Sequence, residues 1–287
     1  MKDTTKKTYN EETIVLHGDK AWSEEEGTVS PSIYDSATFT ARDAKEFAEM
    51  ANTSRHSKYY TRYGNPVHDR IIKIMSELEG TETALVTGSG MGAISTTLLS
   101  LLSAGDHVVA QTRHYMSTAK IMDEMLPRFG VDTTVVEQTD ITAFEEAIQP
   151  NTKLIMMETP ANPTLVVTDM EAVVNLAKSK GIIVVADNTF ASPFNQRPHD
   201  YGVDVIIHSA TKYLGGHHDI TAGVICTSND IADKIWDTHT SLGSVLSPMD
   251  AWLLLRGLRT FPLRMKRINE NALALAKFLE EQPQVES

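Results

Sequence analysis

From Asn65 onward, short apolar runs alternate with segments of helical period, and that alternation constrains the fold more than any other feature of the chain. Asn65 suits a helix N-cap and Pro66 its first position. Val67, Ile71, Ile74, Met75 and Leu78 then share one helical face, and Gly80 ends it. The spacing predicts strands over 84–87, 107–111, 133–137, 153–158, 182–187, 205–208 and 222–227. Helices are predicted between them over 91–102, 117–126, 141–148 and 169–180. The runs IIVVAD and VDVIIH are continuously apolar, as strands buried on both faces are. The expected fold class is α/β, a mostly parallel sheet between helices. Segment 222–227 follows a loop without a helix, which leaves it free to run antiparallel. From Pro248 the pattern is helical to the end, with a break or kink at Pro262.

Residues 1–60 are different. They are polar and weakly periodic, and such an arm either wraps a neighbouring subunit or lies over the main domain. Composition narrows the function classes. With 41% hydrophobic and 22% charged residues the chain has ordinary globular usage, so disorder is a poor reading. Its net charge of −12 argues against a binder of nucleic-acid backbone, which needs clustered Lys and Arg. The single Cys excludes an intramolecular disulfide and a Cys-cluster metal site, and it fits a reducing compartment. The N-terminus MKDTTKKTYNEET lacks the apolar core of a signal peptide, and no apolar run reaches the roughly 18 residues of a membrane span. A soluble cytoplasmic protein is expected.

Ligands of open α/β sheets bind beyond the carboxyl ends of strands. Four predicted strand ends carry polar, Gly-rich or Pro-rich groups. Gly88-Ser89-Gly90-Met91-Gly92-Ala93 fits the letters of a dinucleotide fingerprint, but the second strand ends Ala110-Gln111-Thr112 with no acid to hold a ribose. Two readings of the loop remain, a helix N-terminus holding one phosphate and a tight turn of small residues. Lys212 is either a surface charge or a partly buried amine at the sheet edge, able to act as a nucleophile. Ser209 and Thr211 carry hydroxyls suited to a phosphate, and Asp187 ends its strand with a carboxylate suited to a protonated ring nitrogen. Phosphate cradle, lysine and carboxylate are what pyridoxal phosphate asks of a protein. His217-His218-Asp219 reads as turn polarity rather than a metal site, Cys226 as a buried filler, and the Met residues as core.

Several stretches together carry a resemblance. They are Tyr60-Thr61-Arg62-Tyr63-Gly64-Asn65-Pro66, Ser89-Gly90-Met91-Gly92-Ala93, Glu158-Thr159-Pro160-Ala161-Asn162-Pro163 and Ala186-Asp187-Asn188-Thr189. Ser209-Ala210-Thr211-Lys212-Tyr213-Leu214-Gly215-Gly216-His217 and Leu255-Arg256-Gly257-Leu258-Arg259-Thr260 follow in order. The chain resembles, from about Thr13 to its end, the Cys/Met metabolism (trans-sulfuration) family of pyridoxal-phosphate enzymes: cystathionine γ-synthase, cystathionine γ-lyase and methionine γ-lyase. The resemblance implies the aspartate-aminotransferase-like large domain of fold type I. It divides the chain into an arm over 1–60 that contacts a neighbouring subunit, a cofactor-binding large domain over 61–257, and the helical start of a C-terminal domain over 258–287.

The resemblance also implies roles. Lys212 is the lysine that bears the cofactor and shuttles protons. Asp187 keeps the pyridine nitrogen protonated, and Tyr115 stacks on the ring and takes a proton from the substrate amine. Gly90 and Met91 backbone N–H groups, with Ser209 and Thr211, hold the phosphate. Tyr60 and Arg62 complete it from the neighbouring subunit, implying a homotetramer built from dimers, and Asn162 lies near ring and substrate. The reaction implied is γ-replacement or γ-elimination on a sulfur amino acid or an acylated homoserine. Methionine γ-lyases usually carry Cys two residues after the stacking tyrosine, where this chain has Ser117, and Met116 replaces a usual Gly. A cystathionine γ-synthase/γ-lyase type is therefore favoured over methionine γ-lyase or O-acylhomoserine sulfhydrylase. Family members are longer and end in a small domain whose Arg binds the substrate carboxylate. A chain stopping at Ser287 is expected to be a fragment or a degraded relative that keeps the cofactor without turnover. A nucleotide-dependent dehydrogenase is the rival of another class.

Overall fold

The computed structural model describes residues 9–19 and 30–285; the remainder of the 1–60 arm and the last two residues lie outside the described residues. In chain order the described elements begin with helices α1 (Glu11–His17), α2 (Ala44–Asn52) and α3 (Pro66–Glu79). Then come β1 (Thr83–Thr87), α4 (Gly90–Leu101), β2 (His107–Gln111), α5 (Met116–Lys120), β3 (Asp132–Val136), α6 (Ile141–Ala147) and β4 (Thr152–Glu158). They are followed by α7 (Met170–Lys180), β5 (Ile183–Asp187), α8 (Ser192–Asn195), α9 (Pro198–Tyr201), β6 (Val205–His208) and β7 (Gly223–Thr227). Three helices close the chain: α10 (Asn229–Leu242), α11 (Pro248–Leu258) and α12 (Phe261–Glu280).

The seven strands form one sheet in the order β1-β7-β6-β5-β4-β2-β3. β7 is antiparallel to both its neighbours, and every other pair is parallel. The expected mostly parallel α/β architecture is thus observed, including the reversed final strand. One apolar layer joins α1, α3, α7 and α11 to the sheet, with Phe144 and Phe261 fully buried; the other joins α4 and α10. Each large side chain buried there contributes about 1.5–3 kcal/mol.

α3 forms as its sequence dictates. The Asn65 side chain accepts from Val67 N–H, Pro66 opens the helix, and Gly80 closes it at φ 81°. Asn65 is fully buried, and its amide also donates to Tyr34 O at 2.9 Å, tying the arm to the helix start. Other arm residues join the body as well. Ile14 and Val15 of α1 enter the core, Asp19 pairs with Arg259 at 2.6 Å, and Trp252 Nε1 donates to Pro31 O.

One expectation needs correction. The helix expected over 117–126 is α5, then a wider π turn over Ile121–Met125, then a tight turn over Leu126–Phe129. Pro127 has no N–H to continue the ladder and crowds the carbonyl four residues back, so the helix loosens ahead of it. Of the break or kink expected at Pro262, the structure shows the break. The chain breaks after Leu258, and Pro262 sits in the first turn of α12, where its missing donor costs nothing. Among the described residues no helix is long and apolar enough to cross a membrane.

Candidate active site

The carboxyl ends of β1, β4, β5 and β6 and the start of β7 meet at one edge of the sheet, around a cavity of about 870 Å³. That is within the size range of small-molecule sites. α4 starts there. Ser89 caps it by accepting from Gly92 N–H at 2.9 Å, and the leading N–H groups of Gly90 and Met91 have no partner within the helix. Such N–H groups and the helix dipole together favour an anion. Gly90 has to be glycine, because a Cβ there would lie 2.6 Å from Ser209 Cβ. The approach of backbone to the Ser209 loop is what narrows this part of the cavity.

Asp187 and Glu158 end adjacent parallel strands in register, and both line the cavity. Asp187 is 8% exposed, accepts from Thr189 N–H at 3.0 Å and forms no ion pair among the described residues. Burial pushes its carboxyl up, and the hydrogen bonds from Thr189 and the charge of His208 work against that rise. Glu158 is pushed up to about 7, by burial first and by the Asp187 charge second. Its two oxygens accept from Tyr115 N at 2.7 Å and Asn162 N at 2.9 Å. One carboxyl therefore fixes the backbone beneath both residues. The Tyr115 side chain remains 43% exposed and lines the cavity with Asn162.

Lys212 lines the same cavity from the turn after β6. Of the two readings of this lysine, neither holds alone: its side chain is exposed, yet it lines the cavity at the sheet edge, which is open at this point. Ser209 also lines it, and its N–H donates to Thr189 Oγ1 at 2.7 Å. The Thr211 hydroxyl lies at the wall but is engaged with Ala222, donating to its carbonyl at 3.2 Å and accepting from its N–H at 3.0 Å. Arg264 of α12 holds the lysine turn from behind, donating to Tyr213 O at 2.6 Å, Leu214 O at 3.2 Å and Gly257 O at 2.9 Å. Burial lowers its guanidinium from the ordinary value.

Eight of the ten expected site residues therefore come together: Gly90, Met91, Tyr115, Asn162, Asp187, Ser209, Thr211 and Lys212. Tyr60 and Arg62 do not line this cavity. Arg62 donates to Thr240 O at 2.9 Å and packs over the rings of Tyr60 and Tyr63, its guanidinium carbon 5.1 and 5.0 Å from their centroids. Sequence reasoning missed Glu158 and Arg264 as site residues. Glu158 had a signal, since it ends a predicted strand at the ligand edge; Arg264 had none, because only the tertiary fold brings it to residue 213. His217 Nδ1 donates to Gly215 O, and among the described residues no three potential metal ligands gather. Chemically the cavity offers anion-binding N–H groups, a buried carboxyl for a cationic group, a primary amine for a carbonyl, and an aromatic ring beside them.

Comparison with known proteins is consistent across sequence and structure. The family described as Cys/Met metabolism PLP-dependent enzyme matches residues 12–287. The cystathionine gamma-lyase of Bacillus subtilis is 38% identical over 277 residues, covering 96% of this chain and 70% of that protein. The L-methionine gamma-lyase of Fusobacterium nucleatum subsp. nucleatum is 40% identical over 263 residues, covering 91% and 67%. The crystal structure of metB from Corynebacterium glutamicum superposes with a TM-score of 0.91 at 34% identity, over 98% of this chain and 71% of that one.

Proposed function

The chain belongs to the Cys/Met metabolism family of PLP-dependent enzymes, and we propose from that premise that it catalyses γ-replacement or γ-elimination of the cystathionine γ-synthase/γ-lyase type. It is a trans-sulfuration enzyme whose cofactor is pyridoxal 5′-phosphate. The substrates of this reading are cystathionine or an acylated homoserine with a thiol. The observation that carries it is the convergence of Lys212, Asp187, Tyr115 and the Gly90–Met91 N–H groups on one cavity. The site fits the cofactor on its own terms. A cradle that a Cβ at Gly90 would fill suits a phosphate, and a buried carboxyl with no ion pair among the described residues suits a protonated ring nitrogen.

Bound there, pyridoxal phosphate supplies a ring that withdraws electrons from the substrate Cα. The chain's residues do the rest. Gly90, Met91, Ser209 and Thr211 hold the phosphate, the Thr211 hydroxyl turning from Ala222 to do so. Asp187 holds the proton on the ring nitrogen. Lys212 is the amine that would hold the cofactor through its aldehyde and, when free, would carry protons at the substrate Cα and Cβ. Tyr115 would cover the ring and take a proton from the substrate amine, and Asn162 would stand beside it. Tyr60 and Arg62 would serve the phosphate of a neighbouring subunit in a homotetramer of dimers; that neither lines its own chain's cavity supports this. The buried, free Cys226 suits a cytoplasmic setting.

A methionine γ-lyase is the second reading. Identity of 40% to one favours it, and Ser117 in place of the usual Cys opposes it. Purified protein should show a visible absorbance with pyridoxal phosphate that borohydride fixes covalently, and Lys212→Ala should lose that fixation entirely. Release of 2-oxobutyrate from cystathionine, or formation of cystathionine from acylated homoserine and cysteine, supports the first reading. Turnover of methionine alone transfers the assignment to the second, and fixation that survives Lys212→Ala overturns the role of the lysine.

A further inference from the structure

The carboxyl of Glu158 stands where strand ends and loops of the site meet. β4 lies between β5 and β2 in the sheet and runs parallel to both, so the three carboxyl ends open on the same edge. Glu158 ends β4 and is 5% exposed. Toward β5 it is the register partner of Asp187, so the two carboxyls leave the sheet on one face. Toward β2, its Oε2 accepts from Tyr115 N–H at 2.7 Å, in the loop that follows that strand. Its Oε1 accepts from Asn162 N–H at 2.9 Å, in the loop that follows β4 itself. Gln111, the buried last residue of β2, adds a second stitch between the same loops. Its amide donates to Arg113 O and to Glu158 O, both at 2.7 Å.

The side chains above these two N–H groups are not fixed by packing. Tyr115 and Asn162 are both exposed, and both line the cavity. Where the ring and the amide stand is therefore set by the backbone beneath them. An ionised acid receives both bonds, one on each oxygen; a side-chain amide has a single acceptor oxygen, and a protonated acid gives one oxygen over to its hydroxyl. Burial and the Asp187 charge both oppose ionisation of Glu158. A fold that needed only to fill this space would be better served by an apolar side chain. What the acid supplies instead is the pair of bonds. We propose that Glu158 is a positioning residue, a clasp whose two oxygens hold Tyr115 and Asn162 at a fixed span, so that the aromatic cover and the amide beside it close on bound pyridoxal phosphate as one unit. This role rests on the cofactor reading above.

The test uses the purified full chain. Glu158→Gln keeps the shape but has one acceptor where two N–H groups need it. In the cofactor-free protein, hydrogen exchange read by mass spectrometry should speed up by about tenfold in the segments 112–118 and 159–168, with the strand interior over 152–157 unmoved. In equilibrium dialysis the same substitution should raise the Kd for pyridoxal phosphate by about fivefold. In a background that carries both Tyr115→Ala and Asn162→Ala it should add nothing, because the clasp has nothing left to place. An acid with a merely structural role would weaken binding equally in both backgrounds. Should Glu158→Gln not fold, Glu158→Asp, which keeps the charge but is too short to span both N–H groups, enters the same cycle. Unchanged exchange in either segment, an unchanged Kd, or losses that simply add overturns the clasp. Wild-type protein that takes up no pyridoxal phosphate overturns the reading beneath it instead, while exchange still reports on the two bonds, so the two failures are told apart.

Discussion

The two ends of α3 face regions of opposite chemistry. Beyond its C-terminal end, at the strand ends, sit buried acids: Asp187 and Glu158, both held above their ordinary range by burial. Around its N-terminal end sit buried imidazoles. His68 donates to Leu246 O, His239 stacks on Trp236, and burial brings each down to about 4. One force, loss of water, discharges both sets, but an acid does so by gaining a proton and a histidine by losing one. The acids can therefore be recharged by any cation offered to the cavity. The histidines stay neutral, so they do not repel the guanidinium of Arg62 nearby.

The strongest way to break that contrast is to titrate stability in two variants. Glu158 has its folded value raised from 4.5 to about 7, so the stability it contributes is full below 4.5 and is lost as pH rises to 7. His239 has its folded value lowered from 6.5 to about 4, so its contribution is full above 6.5 and is lost as pH falls to about 4. Compared with Glu158→Gln, wild-type stability should fall by up to about 3 kcal/mol between pH 4.5 and 7; compared with His239→Gln it should rise by a similar amount between pH 4 and 6.5. Denaturant midpoints across this range check both. Difference curves of the same slope would erase the distinction between the regions.

A smaller effect probes the imidazole side. Arg62→Ala should weaken cofactor retention by about tenfold, or ~1.4 kcal/mol. If the arm acts on a neighbour, random mixing with Lys212→Ala should restore about a quarter of the sites, measured as turnover and as bound cofactor. No recovery would assign Arg62 to its own chain's cavity. The smallest effect is local. Asn65→Ala removes the α3 cap and should lower unfolding stability by about 1 kcal/mol, with the cofactor Kd unmoved. A shifted Kd would tie the two ends of the helix together energetically.

Most of the sheet was legible because its signals are local. The cap at Asn65, the stop at Gly80 and the continuous Val/Ile runs state their conformation within a few residues, and the reversal of β7 followed from a loop too plain to hold a crossover helix. The stretch after Tyr115 was less legible, since the apolar period there continues past the point where Pro127 undoes the ladder. α1 was missed because Ile14 and Val15 are too few to show a period, yet both reach the core. At the site, Lys212 and Asp187 announced themselves as strand-end groups. Glu79 did not, being an ordinary acid at a helix end until α3 is laid against β6, where it meets His208.

α3 is also a strut. Its 14 residues span about 21 Å and join, in one continuous run of backbone hydrogen bonds, the segment carrying Tyr60 and Arg62 to the carboxyl that grips His208. A helix resists bending far better than a loop does, so the distance between those two points is held constant by the backbone itself.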